Sequence, residues 1–375
     1  MPAAAGRRAR PGGAAALTAR SLHQFVAGFN HGDAISNEAL LLRRFARDRG
    51  LASDIYCEPA RVLPELRREV RDVARAEAEL GPEDAVLLHL SIGSVVNEIF
   101  WRLRTRRAIL YHNVTPPEWF EGLNEATARL LALGLQQARQ LAGTAQVTLA
   151  DSAFNAGELA AMGHRDVKIY PLALDFSQIR AAPDPTRLRE WADGRTNLLF
   201  VGRGAPNKRI EDLLAVLHYV QRWVEPAARL IHVGSFAGTE RYLGLLQARA
   251  REWRLRDVVF AGPLPQRALS AAYAAATAFV CMSEHEGFCV PLVEAMAHGV
   301  PVVAYAAGAV PETLDGAGVL FRQKRWDLIA ETIGRLARDP ALRRGVQDAQ
   351  RRRLERFERR DAAAELFDLL RPLLG

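Results

Sequence analysis

Between positions 279 and 305 the chain runs through a short apolar strand, a loop at 283–289, a helix opened by Pro291 and closed by Gly299, and a second apolar strand at 300–305. Proline suits the first turn of a helix, where its missing N–H leaves no hydrogen bond unmade. Glycine suits the position just past a helix end. Strands joined through a helix run parallel. The stretch therefore calls for an α/β architecture with helices packed on a parallel sheet.

The same alternation recurs on both sides of a Pro- and Gly-punctuated link at 174–193. In the first half, strands are expected at 25–30, 86–92, 108–111, 147–150 and 167–171, with helices starting near Asp33, at 62–80, at 123–141 and after Ser152. In the second half, strands are expected at 198–201, 230–233, 258–261 and 279–282. Four parts follow: a basic tail at 1–20, a Rossmann-like domain at 21–173, a second at 174–355, and a C-terminal helix at 356–375 that returns to the first domain.

Charge and composition exclude several classes. The net charge is +7, and Arg7, Arg8, Arg10 and Arg20 in an acid-free opening segment account for four of it. The remainder is too weakly basic for a dedicated nucleic-acid binder. The opening segment lacks the apolar run of a signal peptide and is expected to be disordered. The spacing of Cys57, Cys281 and Cys289 offers neither a zinc motif nor a disulfide framework, which fits a reducing, cytoplasmic compartment. No uncharged apolar run is long enough for a transmembrane span. The run WRLRTRR at 101–107 is either a solvated face or a basic patch for peripheral contact with a membrane.

Three places carry candidate chemistry. Glu286 precedes the helix opened by Pro291, and Glu294 lies within it. Carboxylates accept hydrogen bonds from sugar hydroxyls, and the amides at a helix start receive phosphate. Spacing alone is equally compatible with an ordinary βαβ unit carrying two solvated carboxylates. At 202–208, GRGAPNK joins a strand to a helix; Arg203 can grip a phosphate at two points and Lys208 supplies a compact charge. This is not a Walker A loop, because Gly-Lys-Ser/Thr is absent. His112 ends a strand, where α/β sheets gather ligands. His89, within a strand, reads as a core histidine. Asp33 is either a helix N-cap or a ligand contact beside Gly32.

Glu286-Gly287-Phe288, Pro291, Glu294-Ala295-Met296-Ala297, Gly299, Pro301-Val302-Val303, Gly308 and Pro311-Glu312 together resemble the signature of family-four glycosyltransferases, with their Glu-x7-Glu motif. YHNVTPPEWF at 111–120 resembles bacterial polysaccharide-building members of that family. The resemblance implies retaining enzymes of the GT-B fold, with two Rossmann-like domains facing a cleft. It implies that Arg203 and Lys208 hold the donor diphosphate and that Glu294 holds the ribose. Glu286 would hold the sugar, with help from the amides of Gly287, Phe288 and Cys289. Backbone near Leu264 would hold the base, and His112 would reach the transferred sugar. Gly32 and Asp33 are candidates on the acceptor side. Cys289 stands where relatives often carry glycine. The implied partners are a UDP- or GDP-sugar donor and a glycan or lipid-linked acceptor, with no cofactor and no metal, in bacterial exopolysaccharide or surface-glycan assembly. A GT-B epimerase or phosphorylase, or a non-catalytic nucleotide-sugar scaffold, shares the architecture. An NAD-dependent oxidoreductase does not fit, since no GxGxxG turn with a following acid is present.

Overall fold

The structure, a computed structural model, describes residues 19–375. Of the expected basic tail, all but Ala19 and Arg20 lie outside the described residues. Ala19 is buried, and its amide donates to the Leu374 carbonyl at 3.1 Å.

Two all-parallel sheets form the molecule. The first contains β1 (Ser21–Val26), β2 (Ile55–Cys57), β3 (Val70–Asp72), β4 (Asp84–Leu90), β5 (Arg106–Tyr111), β6 (Val147–Ala150) and β7 (Lys168–Ile169), in the order β3-β2-β1-β4-β5-β6-β7. The second contains β8 (Asn197–Val201), β9 (Arg229–Val233), β10 (Val258–Phe260), β11 (Ala278–Cys281), β12 (Val302–Tyr305) and β13 (Val319–Phe321), in the order β10-β9-β8-β11-β12-β13. In each sheet the order reverses beside the first strand, between β1 and β4 and between β8 and β11. Crevices open at such switch points, beyond the carboxyl ends of the strands.

Helices bury both faces of each sheet, so the central strands are buried along their length and largely apolar. Successive side chains take opposite faces. In β4, Val86, Leu88 and Leu90 join a core with Val96, Phe100 and Leu131, while Ala85 and Leu87 join another with Leu41 and Leu42. The latter core also takes in Leu366, Leu373 and Leu374 from the helices Ala362–Leu369 and Arg371–Leu374, with Leu370 at the junction between them. The preceding helix, Pro340–Glu358, belongs to the second domain, where Gln350 bonds the backbone of Val300 and Val302. Between them Arg360 donates to the Pro171 carbonyl at 2.5 Å and lies over the Tyr170 ring at 4.5 Å. The two crossings between domains are thus clamped to each other.

Two elements differ from expectation. The first strand spans Ser21–Val26 rather than 25–30. Its polar residues hide it, but each is satisfied: Ser21 donates to Asp84, Gln24 to the Ala39 carbonyl, and His23 accepts from the Asp54 amide. No continuous helix spans 62–80. Pro64–Glu69 forms a 3-10 turn, and Val70–Asp72 pairs with β2 as an edge strand. Sheet pairing there overrides a charge-rich run with good helix formers.

Candidate active site

The loops that leave the carboxyl ends of β5, β6, β8, β11 and β12 meet in one cleft. On the second domain's side, Asn207 ties two of them together. Its carbonyl accepts the Glu284 amide at 2.9 Å, and its side chain donates to the His285 carbonyl at 3.2 Å. The next residue, Lys208, thereby reaches Glu286, with Nζ 2.7 Å from Oε2. Glu286 is buried and Lys208 is one-fifth exposed. Burial works against the ammonium, but the Glu286 carboxylate outweighs it and holds the Lys208 pKa above its ordinary value. Lys208 and Glu286, assigned from sequence to different parts of a ligand, lie against each other.

Glu286 is fixed from behind by Gly308, whose φ is +54°; a Cβ there would lie 2.5 Å from the Glu286 carbonyl oxygen. Only glycine meets both demands easily. The helix Val290–Ala297 follows, with Pro291 in its first turn and Gly299 just beyond its end at φ +67°. Cys289 caps it at φ +70°, a left-handed conformation costly for any residue but glycine. The amides of Gly287, Phe288 and Cys289 donate to no protein acceptor among the described residues. Within the helix, Glu294 Oε2 accepts the Tyr273 hydroxyl at 2.7 Å, and the Tyr273 ring stacks on His298 with centroids 5.0 Å apart. Burial raises the Glu294 pKa, against the Tyr273 hydrogen bond. Arg203 stands exposed after β8, with no ion-pair partner among the described residues. Leu264 is half-buried after β10.

On the first domain's side a relay fixes His112. Gln24 Nε2 donates to the Ala39 carbonyl at 2.8 Å, so its Oε1 accepts from His89 Nε2 at 2.9 Å. His89 Nδ1 is then an acceptor, and His112 Nε2–H donates to it, also at 2.9 Å. His112 Nδ1 is left 3.4 Å from Asp151 Oδ2. Burial and the charge of His112 hold His89 neutral, well below its ordinary pKa. Burial disfavours the imidazolium of His112, but Asp151 and Glu38 raise its pKa overall. Burial pushes the Glu38 carboxyl up to about 7. Glu38 Oε2 lies 3.5 Å from His112 Nε2. Glu38, His89 and His112 do not form a metal cage. An ion between the facing ring nitrogens would need about 4 Å there, given metal–nitrogen bonds of ~2.0–2.1 Å.

The ring of His112 is buried between His89 and Asp151. Its side chain is 2% exposed, so the exposed atoms of this residue are backbone. Asp33 is occupied as a helix N-cap, accepting from the Ser36 amide at 2.9 Å, and Gly32 sits in the turn before it.

The two sides touch. A Cβ on Gly287 would lie 2.7 Å from the Asn113 Cβ and 3.1 Å from the His112 carbonyl oxygen. Glu312 accepts the Ala153 amide at 2.8 Å and so caps a helix of the opposite domain. His285 Nε2 lies 3.5 Å from Glu158. The structure thus gathers Lys208, Glu286, the 287–289 amides and the His112 backbone. Glu294 lies along the helix, and Arg203 at the rim.

Sequence reasoning passed over Glu38, Gln24, Asn207 and the capping role of Glu312. Glu38 had a signal: it lies on the apolar face of its helix with Ile35, Ala39 and Leu42. Gln24 and Asn207 had none, because their partners are distant in sequence.

Two Rossmann-like parallel sheets with their strand ends facing one cleft make this a GT-B protein. Residues 188–353, within the second domain, match the family described as Glycosyl transferases group 1. Among curated relatives, a GDP-mannose-dependent alpha-mannosyltransferase of Mycolicibacterium smegmatis is 38% identical over 172 residues, covering 45% of this chain and 42% of the relative. The chain thus spans less than half the length of that relative. Among solved structures, a sucrose-phosphate synthase from Thermosynechococcus elongatus superposes with a TM-score of 0.74 at 18% identity, covering 94% of this chain and 99% of the other. The HepE protein of Anabaena, solved with UDP and glucose, gives 0.71 at 18% identity, covering 94% and 100%. At that identity the last two bear on the fold alone.

Proposed function

We propose that this protein moves a sugar from a nucleotide-diphosphate donor to a hydroxyl acceptor with retention of anomeric configuration. The observation that carries the reading is the Lys208–Glu286 pair, set beside three unpaired amides at a helix start and opposite the His112 backbone. A sugar nucleotide needs both kinds of group: cationic and amide donors for the diphosphate, and acceptors for the sugar hydroxyls.

In this reading Lys208 and Arg203 neutralise the charge that grows on the leaving diphosphate, stabilising the transition state electrostatically. Glu286 and the 287–289 amides orient the sugar. The His112 carbonyl, rather than its ring, faces that sugar, and the Gln24–His89 relay holds the residue in place. Glu294, steadied by Tyr273, takes the ribose, and the backbone near Leu264 the base. GDP-mannose is the first donor to try, given the mannosyltransferase relative, with UDP-sugars next. The acceptor is a glycan or a lipid-linked glycan in bacterial polysaccharide assembly, reached through Gly32 and the neighbouring turn.

A thermal-shift screen of nucleotide sugars tests the donor. A ligand at a hundred times its dissociation constant adds about 2.7 kcal/mol to stability. Donor hydrolysis or transfer by the same protein, with the anomer determined by NMR, tests the reaction. Binding without turnover would make the protein a scaffold, and inverted product would refute retention.

A further inference from the structure

Behind the candidate donor site lie two thiols that this function does not use. Cys281 ends β11, and Cys289 caps the next helix. The intervening loop brings Glu286 between them. The two sulfurs and a Glu286 carboxylate oxygen all lie within 4.8 Å of one another, and all three residues are buried. Both thiols are free. Their spacing matches no zinc motif, because the strand–loop–helix turn, rather than a short Cys-x-x-Cys knuckle, brings them together.

We propose that Cys281, Cys289 and Glu286 form a binding site for a thiophilic divalent cation of the Zn²⁺ class. Two thiolates and a carboxylate suit Zn²⁺ and its congeners rather than Mg²⁺ or Ca²⁺. Zinc–sulfur bonds of ~2.3 Å put tetrahedral ligands about 3.8 Å apart, so the existing cluster needs at most a small contraction. Charge also balances: two thiolates, one carboxylate and the Lys208 ammonium neutralise a divalent ion. Three protein ligands leave a fourth position open, and the partly exposed Lys208 marks the approach from the cleft.

Binding releases the two thiol protons and transfers Glu286 from Lys208 to the ion. If the proposed function holds, cation and donor compete for Glu286, and the ion inhibits transfer. The site itself does not depend on that function.

The test is titration of the reduced full-length chain with Co²⁺, read by thiolate-to-cobalt charge-transfer absorption. One equivalent is expected to saturate the band, and Zn²⁺ to abolish it by displacement. Removing even an outer partner of a metal ligand costs ~10–100-fold in affinity, so Cys281→Ala and Cys289→Gly should each cost more than that. Glycine suits the left-handed cap, so Cys289→Gly stays folded, as circular dichroism will verify. Cys57→Ala should keep the band. Absence of the band in the parent chain, or its survival in Cys289→Gly, overturns the proposal.

Discussion

Lys208 Nζ and Glu286 Oε2 meet at 2.7 Å although 78 residues separate them in the chain. The contact joins the loop after β8 to the loop after β11, and it makes two site residues depend on each other. Lys208→Met leaves Glu286 buried and unpaired. Breaking a buried pair costs ~3–5 kcal/mol, and the partial exposure of Lys208 puts the expected loss at the lower end or below. Lys208→Met/Glu286→Gln should recover much of that stability in urea denaturation. Equal losses in single and double variants would show that the pair does not couple.

Glu286→Gln should lower kcat by ~10²-fold or more if this residue positions the reacting centre. A normal kcat in a variant that still transfers sugar would remove Glu286 from the reaction.

Glu294 should fail differently. In the proposed function Glu294 holds the ribose, a contact made in ground and transition states alike, so Glu294→Gln should chiefly raise the donor KM. Tyr273→Phe removes the hydroxyl that steadies it, a loss of about 1 kcal/mol, and should raise KM by a few-fold with kcat unchanged. A kcat effect without a KM effect in either variant contradicts the assignment.

The buried carboxyl of Glu38 predicts a dependence of stability on pH. Its folded pKa, about 7, lies above its ordinary value of 4.5. Folding therefore favours the protonated form, and stability present below pH 4.5 is lost as pH rises toward 7. At ~1.4 kcal/mol per pKa unit the loss is roughly 3 kcal/mol. His112, also raised, acts in the same direction. Melting temperatures measured from pH 4 to 8 should show Glu38→Gln gaining on the parent as pH increases. A pH-independent difference would rule this out.

Turnover should persist in EDTA. No Asp-x-Asp occurs in the chain, and in the proposed function Arg203 with Lys208 supply the cationic charge at the diphosphate. Activity that vanishes in EDTA and returns with Mn²⁺ contradicts this.

The basic run at 101–107 makes a smaller patch than its sequence suggests. Arg102 pairs with Glu77, Arg107 donates to the Trp101 carbonyl, and Arg106 to that of Leu373. Arg104 and the half-exposed Trp101 remain. No helix among the described residues is long and apolar enough to cross a membrane. Peripheral contact through this patch should therefore be weak, at ~1 kcal/mol for each basic residue at an anionic surface. Co-sedimentation with anionic liposomes that is unchanged by Trp101→Ala/Arg104→Glu would rule the patch out.

Much of the fold was legible because its signals are local. Pro291 and Gly299 bracket their helix, and the apolar runs at β6, β8 and β11 mark strands within a residue or two. β1 was misplaced because its polar side chains find partners 15 to 63 residues away. The run at 62–80 misled because an edge strand is decided by its neighbour, here β2. At the site, the motif residues stood out in the sequence. Their mutual arrangement did not: neither the Lys208–Glu286 contact, the His89–His112 contact nor the Cys281–Cys289 approach follows from spacing. Each depends on how loops from different strands pack.

The helices at 362–374 complete the core that covers β1, β4 and β5. On the ribosome, that face of the first sheet stays only partly covered, by the helix that carries Leu41 and Leu42, until the whole second domain has been synthesised. The order of domains along the chain is therefore not the order in which they can be finished. The second domain can close its own core while the first waits, partly open, for its last wall. A chaperone that shields apolar surface would find its substrate there, in the nascent first domain.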